Sequence, residues 1–255
     1  MMTFTHAFKL QTCYKSSFFR PKQLRLLSGS VYNAEMPLQK IVDGLMRSDY
    51  SSDMKVKECI KHMADVNLSH LGFKNPVSIP SQLCTTIAET NDFHIAAFLL
   101  PKGRCIPIHD HPNMAVCSKI IVGSLRVRSF TKLVARHSVE HVTAKLDSDV
   151  VRNPSDPAWL ITPIHGNFHE FTALEDTVIL DVLTPPYSPP ARQCTFYTAH
   201  PCVELDGDSD GHTPWLLQAT SEQDMYARHG LPMAIAYKGY VPRLGQQYSK
   251  EDGQQ

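Results

Sequence analysis

From about residue 93 onward, short runs rich in Val, Ile, Phe and Thr alternate with Pro, Gly and Asn, and this pattern constrains the fold most. Short runs bounded by turn residues predict β-strands. Many short strands without intervening helices are typical of a closed barrel or a double-sheet β architecture. The predicted strands are Phe93–Leu100, Ala115–Ile121, Leu125–Phe130, His141–Lys145, Trp159–Thr162, His169–Ala173, Thr177–Leu183, Thr195–Thr198 and Met233–Tyr237.

The segment before these strands has a helical periodicity. Apolar residues recur at the spacing of one helix face, which predicts helices between residues 37 and 72. The residues that define the pattern are Leu38, Ile41, Val42, Leu45 and Met46, followed by Val56, Ile60, Met63 and Val66. We therefore expect one domain over about 35–250, with the helices outside or across one end of a β-barrel that spans about 85–245.

Charge and cysteine content exclude several classes of protein. The chain has 25 basic and 25 acidic residues, so no net charge favours nucleic acid or an anionic membrane surface. No apolar run approaches the length needed to cross a bilayer. Seven cysteines, without a C-x-x-C pair, argue against a disulfide framework and a structural zinc site. We expect a protein of a reducing compartment such as the cytoplasm.

The first 34 residues have a composition of their own. They contain no Asp or Glu, and they carry five Lys or Arg residues among several Ser and Thr residues. Such a composition is typical of a mitochondrial transit peptide. The alternative is a disordered or variable N-terminal tail, and the sequence does not choose between the two.

The stretch from Gly103 to Gly123 contains the pattern that points most directly to chemistry. His109 and His111 are two residues apart, and on a strand such side chains point to the same face. The spacing resembles the general cupin motif, in which glycines flank a His-x-His pair that is followed by Glu. Val116 occupies the position of that Glu.

A third metal ligand is expected from another strand. The second half of the cupin motif, a Pro and a Gly ahead of a His, is approximated by Pro163, Gly166 and His169. His165 is the alternative ligand, but the motif favours His169. Three neutral imidazoles without a carboxylate would leave the full charge on a divalent metal, which suits a thiolate. Iron(II) with open positions is familiar in O2 chemistry, and zinc could also occupy three histidines.

Several linked motifs resemble the cysteamine dioxygenase and plant cysteine oxidase family within the cupins. The firm resemblance covers roughly residues 90–200. The motifs are Ile106-Pro-Ile-His109-Asp-His111-Pro-Asn-Met, Ser118-Lys119, Gly123-Ser-Leu125, Gly166-Asn-Phe-His169-Glu-Phe and Ile179-Leu-Asp181-Val-Leu-Thr-Pro-Pro-Tyr187. The resemblance implies a double-stranded β-helix, or jelly-roll barrel, with a few N-terminal helices.

The resemblance also implies a function. Members of this family use non-haem iron(II) to place both atoms of O2 on a thiol sulfur, which yields a sulfinic acid. Their substrates are cysteamine and the N-terminal cysteine of peptides or proteins, where the oxidation serves oxygen sensing. His109, His111 and His169 match the three iron ligands of the family. The implied partners are a thiol and O2, without nucleic acid or membrane, and the implied state is a monomer.

Two further residues match the active-site region of the family. Asp181 is expected to meet the substrate ammonium group or to relay a proton. The alternative for Asp181 is a structural carboxylate that caps the Pro185-Pro186 turn. Tyr187 is expected either to form a hydrogen bond near the metal or to serve packing alone.

The sequence departs from the family pattern at one known crosslink. Animal cysteamine dioxygenases can join a cysteine to a tyrosine two residues later. Cys194 stands in the matching position, but the partner position is Phe196, and Tyr197 is one residue further. We therefore expect that crosslink to be absent.

Two other functions remain open from the residues alone. A metal cupin of another class, such as a zinc or manganese isomerase or hydrolase, would use the same ligands. A non-catalytic binding cupin would keep the fold, although three intact ligand positions argue against it.

Overall fold

The computed structural model describes residues 36–73, 77, 79, 82–137, 141–202, 214–221, 224 and 233–234. The predicted transit peptide or tail over residues 1–34 lies outside these residues, as does the end of the last predicted strand beyond residue 234. Within the described ranges, no helix combines the length and apolar character that a membrane span requires.

Two helices precede the sheets, as the periodicity predicts. Helix α1 spans Pro37–Met46 and helix α2 spans Ser52–Met63. Proline is tolerated at the start of α1 because the first amide groups of a helix have no intrahelical acceptor. Ser51 caps α2, since its hydroxyl accepts a hydrogen bond from the backbone N–H of Met54 at 3.3 Å.

Most of the remaining described chain forms β-strands. The strands are β1 Leu83–Glu89, β2 His94–Leu100, β3 Cys105–His109, β4 Ala115–Val122, β5 Leu125–His137, β6 His141–Arg152, β7 Trp159–Ile161, β8 Phe168–Ala173, β9 Thr177–Thr184, β10 Phe196–Pro201, β11 Trp215–Thr220 and β12 Met233–Ala234. Strands β1, β3 and β11 were not among the predicted strands, and β5 and β6 are several residues longer than predicted. The prediction of short strands is otherwise confirmed.

The strands form two six-stranded sheets. The first has the order β12-β1-β2-β9-β4-β7, and the second closes on itself in the order β10-β11-β6-β5-β8-β3. From β2 to β5 and again from β6 to β10, consecutive strands alternate between the two sheets, as in a double-stranded β-helix, which confirms the predicted fold class. The helices α1 and α2 cover the outer face of the first sheet, as expected.

Apolar side chains fill three layers of this architecture. Between the helices and the first sheet lies a core that contains Leu38, Met63 and Val182. Between the two sheets lies a second core that contains Phe98, Phe171 and Ile179. The third core lies on the other face of the second sheet. It takes one side chain from each of the six strands, namely Ile108, Phe130, Ala144, Phe168, Tyr197 and Leu217.

The two cores on either side of the second sheet fix its position. Strand β8 contributes Phe168 to one core and Phe171 to the other, because successive side chains point to opposite faces. Strands β3 and β8 are therefore packed from both sides. A side chain on either strand is held in one orientation, and this matters because both strands carry a motif histidine.

Gly123 between β4 and β5 has a φ of 86°, a conformation that side chains other than glycine rarely adopt. An added Cβ would collide with the carbonyl oxygen of Asp176 and would lie 2.6 Å from Thr177 Oγ1. We expect Gly123→Ala to lower the free energy of unfolding by about 3 kcal/mol, from backbone strain plus overpacking.

Gly103→Ala is the matched control, because Gly103 has a φ of 80° and no atom within 4 Å of the added Cβ. It should cost about 1 kcal/mol, the conformational contribution alone. Urea unfolding monitored by circular dichroism measures both values. Equal losses for the two variants would show that the contact at Asp176 does not matter.

Candidate metal centre

Three histidines converge in the interior next to the second sheet. His109 ends β3 and lies directly opposite His169 of β8 in the antiparallel register, so both imidazoles are on one face. The ring centroids of His109 and His169 are 4.5 Å apart. The centroid of the His111 ring lies 4.9 Å from that of His109 and 5.0 Å from that of His169. The nearest ligand atoms of the three rings all lie within 4.8 Å of one another.

His111 is positioned by a contact that the sequence did not predict. It follows β3 and is not part of a strand, so the alternation of side chains along a strand does not place it. The side chain of Asn167 does: its Oδ1 accepts from His111 N at 3.0 Å, and its Nδ2 donates to His111 O at 2.9 Å. Asn167 belongs to the motif that contains His169, but the motif itself does not indicate this contact.

The hydrogen bonds of His109 and His169 determine which ring nitrogen is free. His109 Nδ1 lies 2.8 Å from the carbonyl oxygen of Pro107, and His169 Nδ1 lies 3.4 Å from that of Asn167. A carbonyl oxygen only accepts hydrogen bonds, so each Nδ1 carries the proton. The Nε2 lone pair of both rings is therefore free for a metal.

Tyr187 fixes the same tautomer at His111. Its hydroxyl lies 2.6 Å from the carbonyl oxygen of Asp110 and 2.7 Å from His111 Nδ1. The hydroxyl must donate to the carbonyl, so it accepts from His111 Nδ1–H. His111 Nε2 is buried and has no hydrogen-bond partner within the described residues. Such an atom is costly to bury unless it binds something, and a metal ion fits it.

Burial keeps all three rings neutral. The rings are at most 5 % exposed, and burial lowers the pKa of His109 to about 4. Burial together with the neighbouring histidines lowers the pKa of His111 and His169 well below the ordinary value. Neutral imidazole is the form that binds metal, so the group is ready to bind near neutral pH.

The ligand set contains no carboxylate. Val116, at the position where the general motif has Glu, is 1 % exposed and packs with Leu183 and Tyr187. His165 is exposed and is not a member of the histidine group in the described part of the chain. Three neutral nitrogen donors suit a divalent metal such as iron or zinc and leave coordination positions for other ligands.

Asp110 lies between two motif histidines but points away from them. Its carboxylate accepts from Thr195 N at 2.8 Å and from the Tyr197 hydroxyl at 3.1 Å. Burial raises the pKa of Asp110 to about 6, although these hydrogen bonds act to lower it. Asp110 thus ties the histidine segment to the start of β10.

Asp181 faces the interior between the sheets from the middle of β9. Ile179 and Leu183, two residues away on either side, belong to interior clusters, and Ser118 lies opposite on β4. Burial raises the pKa of Asp181 to about 7, and the nearby Ser118 hydroxyl opposes this shift. No hydrogen bond links its carboxyl to the Pro185-Pro186 turn among the described residues, so the alternative of a turn cap gains no support.

A cavity of about 240 Å³ opens beside the histidine group. Strands β5, β6 and β7 and the segment before β8 form its walls, together with His169 of β8. The residues that line it are Val127, Ser129, Asp147, Ser148, Arg152, Trp159, Leu160, Ile161, His165, Gly166 and His169. The volume lies below the roughly 300–1,000 Å³ of drug-sized ligand sites, so the cavity suits a small molecule or a single residue.

The structure places Phe196, and not a tyrosine, beside the histidine group. Phe196 pairs with His109 in the register between β10 and β3, with ring centroids 6.0 Å apart. Tyr197 points into the core of the second sheet and bonds to Asp110. This placement is consistent with the expectation that Cys194 has no crosslink partner at position 196.

Tyr187→Phe tests the role of the tyrosine. The change removes the acceptor of His111 Nδ1–H, so we expect metal affinity to fall by roughly 10- to 100-fold, as for other residues that orient metal-bound histidines. Competition with a chelator measures the affinity. Tyr197→Phe is the control, because that hydroxyl bonds to Asp110 and contacts none of the three histidines. Equal affinity in both variants would contradict the assigned role.

Three proteins with named activities are similar to this chain in sequence. Plant cysteine oxidase 1 from Arabidopsis thaliana is 34 % identical over 143 residues, covering 54 % of this chain and 47 % of that protein. Plant cysteine oxidase 2 from the same organism is 34 % identical over 162 residues, with coverages of 61 % and 56 %. The 2-aminoethanethiol dioxygenase of Mus musculus is 31 % identical over 144 residues, with coverages of 48 % and 56 %.

The chain spans about half the length of these curated relatives. The family model described as PCO_ADO matches residues 45–234, which include α2, both sheets and all three histidines. Because this match covers most of the sequence, the chain belongs to the PCO_ADO family.

Proposed function

We propose that this protein is a non-haem iron(II) thiol dioxygenase that converts cysteamine, the N-terminal cysteine of peptides, or both, to the sulfinic acid. The observation that carries the proposal is the buried group of three neutral imidazoles, whose Nε2 atoms are free and which includes no carboxylate. Family membership supports it, since curated relatives are named cysteine oxidase and 2-aminoethanethiol dioxygenase.

The reaction balances without an external reductant. A thiol and one O2 give one sulfinic acid, so the sulfur supplies all the electrons and gains both oxygen atoms. Bound iron would supply the O2 chemistry and a positive charge that favours the thiolate. His109, His111 and His169 would hold the iron, and Tyr187 would keep His111 in the tautomer that binds it.

The other contribution of the chain is a dry, shaped site. Val116, Leu183 and Phe171 are at most 2 % exposed and border the histidine group or the adjoining core, so water has little access from that side. In such surroundings the charged form of Asp181 needs a cation, and the ammonium group of an aminothiol provides one. We propose that Asp181 holds this ammonium group near the histidines.

The competing functions have less support. Zinc would fit the same three nitrogen atoms, but the named relatives are an oxidase and dioxygenases rather than hydrolases or isomerases. A binding protein without catalysis would not require three histidines that all carry the proton on Nδ1 and leave Nε2 free for a metal. Iron is therefore the metal that we propose.

Oxygen consumption tests the proposed function. The protein is first loaded with iron(II) under anaerobic conditions. It is then mixed in oxygenated buffer with cysteamine, free cysteine or a peptide with N-terminal cysteine, in parallel assays. We expect one O2 consumed per thiol oxidised, and mass spectrometry should show a gain of two oxygen atoms. Zinc-loaded protein is the control and should consume none. Iron-bound protein that oxidises no thiol would contradict the proposal.

Asp181→Asn separates catalysis from metal binding. The amide keeps the size of the side chain but cannot hold an ammonium group, so we expect kcat/KM to fall by roughly 100-fold while iron content is unchanged. In the unaltered protein kcat/KM should fall as pH decreases through about 7, because protonation removes the carboxylate. The variant should lack this dependence.

Asp149→Asn serves as the control for that change. Asp149 is an exposed carboxylate that pairs with Arg126 on the outer face of β5 and β6, away from the histidines. Its variant should retain activity and pH dependence. Full turnover by Asp181→Asn would remove the proposed role.

A further inference from the structure

The cavity beside His169 contains a charged side chain that neither the metal centre nor Asp181 explains. Arg152 is the last residue of β6 and lines the cavity together with Trp159 of β7. Neither residue belongs to the sequence motifs that predict the metal site.

The register of β5 and β6 directs Arg152 toward the interior. Arg152 lies opposite Leu125, a buried residue of the core between the sheets, and Ser148 lies opposite Ser129. Ser129 in turn lies opposite His169 in the pairing of β5 with β8. Directly opposed residues share a face of a sheet, so Arg152 and His169 face the same space.

Arg152 differs from its neighbours in having no carboxylate partner among the described residues. Arg126 pairs with Asp149 at 2.6 Å, and Arg128 pairs with Glu170 at 2.7 Å. Arg152 forms no ion pair in the parts of the chain that the structure describes. Its Nε is buried without a hydrogen bond, and its guanidinium carbon lies 4.8 Å from the centroid of the Trp159 ring.

Trp159 both holds this guanidinium and adds a second donor. Its ring packs edge-on against Phe171 with centroids 6.2 Å apart, which fixes its orientation. The indole Nε1 is buried and has no acceptor within the described residues. Arginine and tryptophan side chains can only donate hydrogen bonds, so the two together favour an oxygen acceptor in the cavity.

The cavity is also lined by the carboxylate of Asp147, which lies on the same strand as Arg152. A register shift between β5 and β6 falls at Asp147, and such a bulge redirects a side chain. The Oδ2 atom of Asp147 accepts from Gly166 N at 3.1 Å and from the Thr131 hydroxyl. The Asp147 carboxylate already accepts these hydrogen bonds, so the group left to bind a ligand is the Arg152 guanidinium, which complements a carbonyl or carboxylate oxygen.

We propose that Arg152, stacked on Trp159, is a specificity-determining residue that binds a carboxylate or carbonyl oxygen of the thiol substrate. This inference rests on the proposed function and narrows its substrate class. Cysteamine has no oxygen atom and leaves both donors without a partner. Free cysteine offers a carboxylate, and an N-terminal cysteine residue offers the carbonyl of its peptide bond.

Arg152→Gln tests the inference with three substrates. We measure kcat/KM for cysteamine, free cysteine and a cysteine-initiated peptide with an amidated C-terminus. The loss of a charge-assisted hydrogen bond should lower the value about 30-fold for a thiol that uses this subsite. The value for cysteamine should change less than about twofold. A loss confined to free cysteine identifies the carboxylate as the bound group, and a loss for the peptide identifies the carbonyl.

Two further variants give the controls. Arg152→Lys keeps the positive charge but not the planar fork, so it should recover part of the loss. Arg126→Gln removes an arginine on the outer face of the same sheet and should change none of the three values. An equal loss for all three thiols in Arg152→Gln would mean that Arg152 only supports the wall, and no loss would also overturn the proposal.

A binding measurement separates this inference from the proposed function. The chain has two tryptophans, so Trp215→Phe leaves Trp159 as the single tryptophan, whose fluorescence reports binding in the cavity. Zinc-loaded protein, which cannot oxidise thiols, is titrated with the same three compounds. We expect Arg152→Gln to raise the dissociation constant for the oxygen-bearing thiols and not for cysteamine. If that preference is found but iron-loaded protein oxidises nothing, the subsite stands and the dioxygenase proposal fails. If the preference is absent, the subsite is wrong.

Discussion

The hydrogen bonds to the Nδ1 atoms of three buried histidines decide what this site can bind. A carbonyl oxygen at His109, another at His169 and the Tyr187 hydroxyl at His111 each hold the proton on the outer nitrogen. The inner nitrogens are thereby left as acceptors without donors. Burial prevents the rings from taking up protons instead, because a charged imidazole would lose its hydration. A divalent metal ion satisfies all three rings at once.

The rest of the architecture keeps this arrangement in place. Cores on both faces of β3 and β8 leave the strands that carry His109 and His169 little freedom to rotate or shift. The side chain of Asn167 holds the backbone of His111, and Asp110 ties the same segment to the start of β10. His169 also lines the cavity that contains Asp147 and Arg152, so the proposed substrate subsite lies next to the metal ligands on the same scaffold.

Local sequence patterns predicted the fold and the histidine group. Features that depend on contacts between residues far apart in the sequence were not predictable. Most of the strands, and the roles of His109 and His169, follow from alternation and motif spacing. Strand β11 was missed because it buries only Leu217 fully and depends on pairing with β10 and β6. The position of His111 depends on Asn167, 56 residues away, and no local pattern indicates that contact. Arg152 could not be distinguished from Arg126 and Arg128 until the register showed which face each occupies.

The central claim is that His109, His111 and His169 together hold one metal ion. The direct measurement is iron content after anaerobic loading and desalting of His109→Ala, His111→Ala and His169→Ala, with His165→Ala as the matched control from the cavity rim. We predict one iron per chain in the unaltered protein and in His165→Ala, and almost none in the other three, with circular dichroism confirming that all remain folded. Full iron content in any of those three variants would contradict the account.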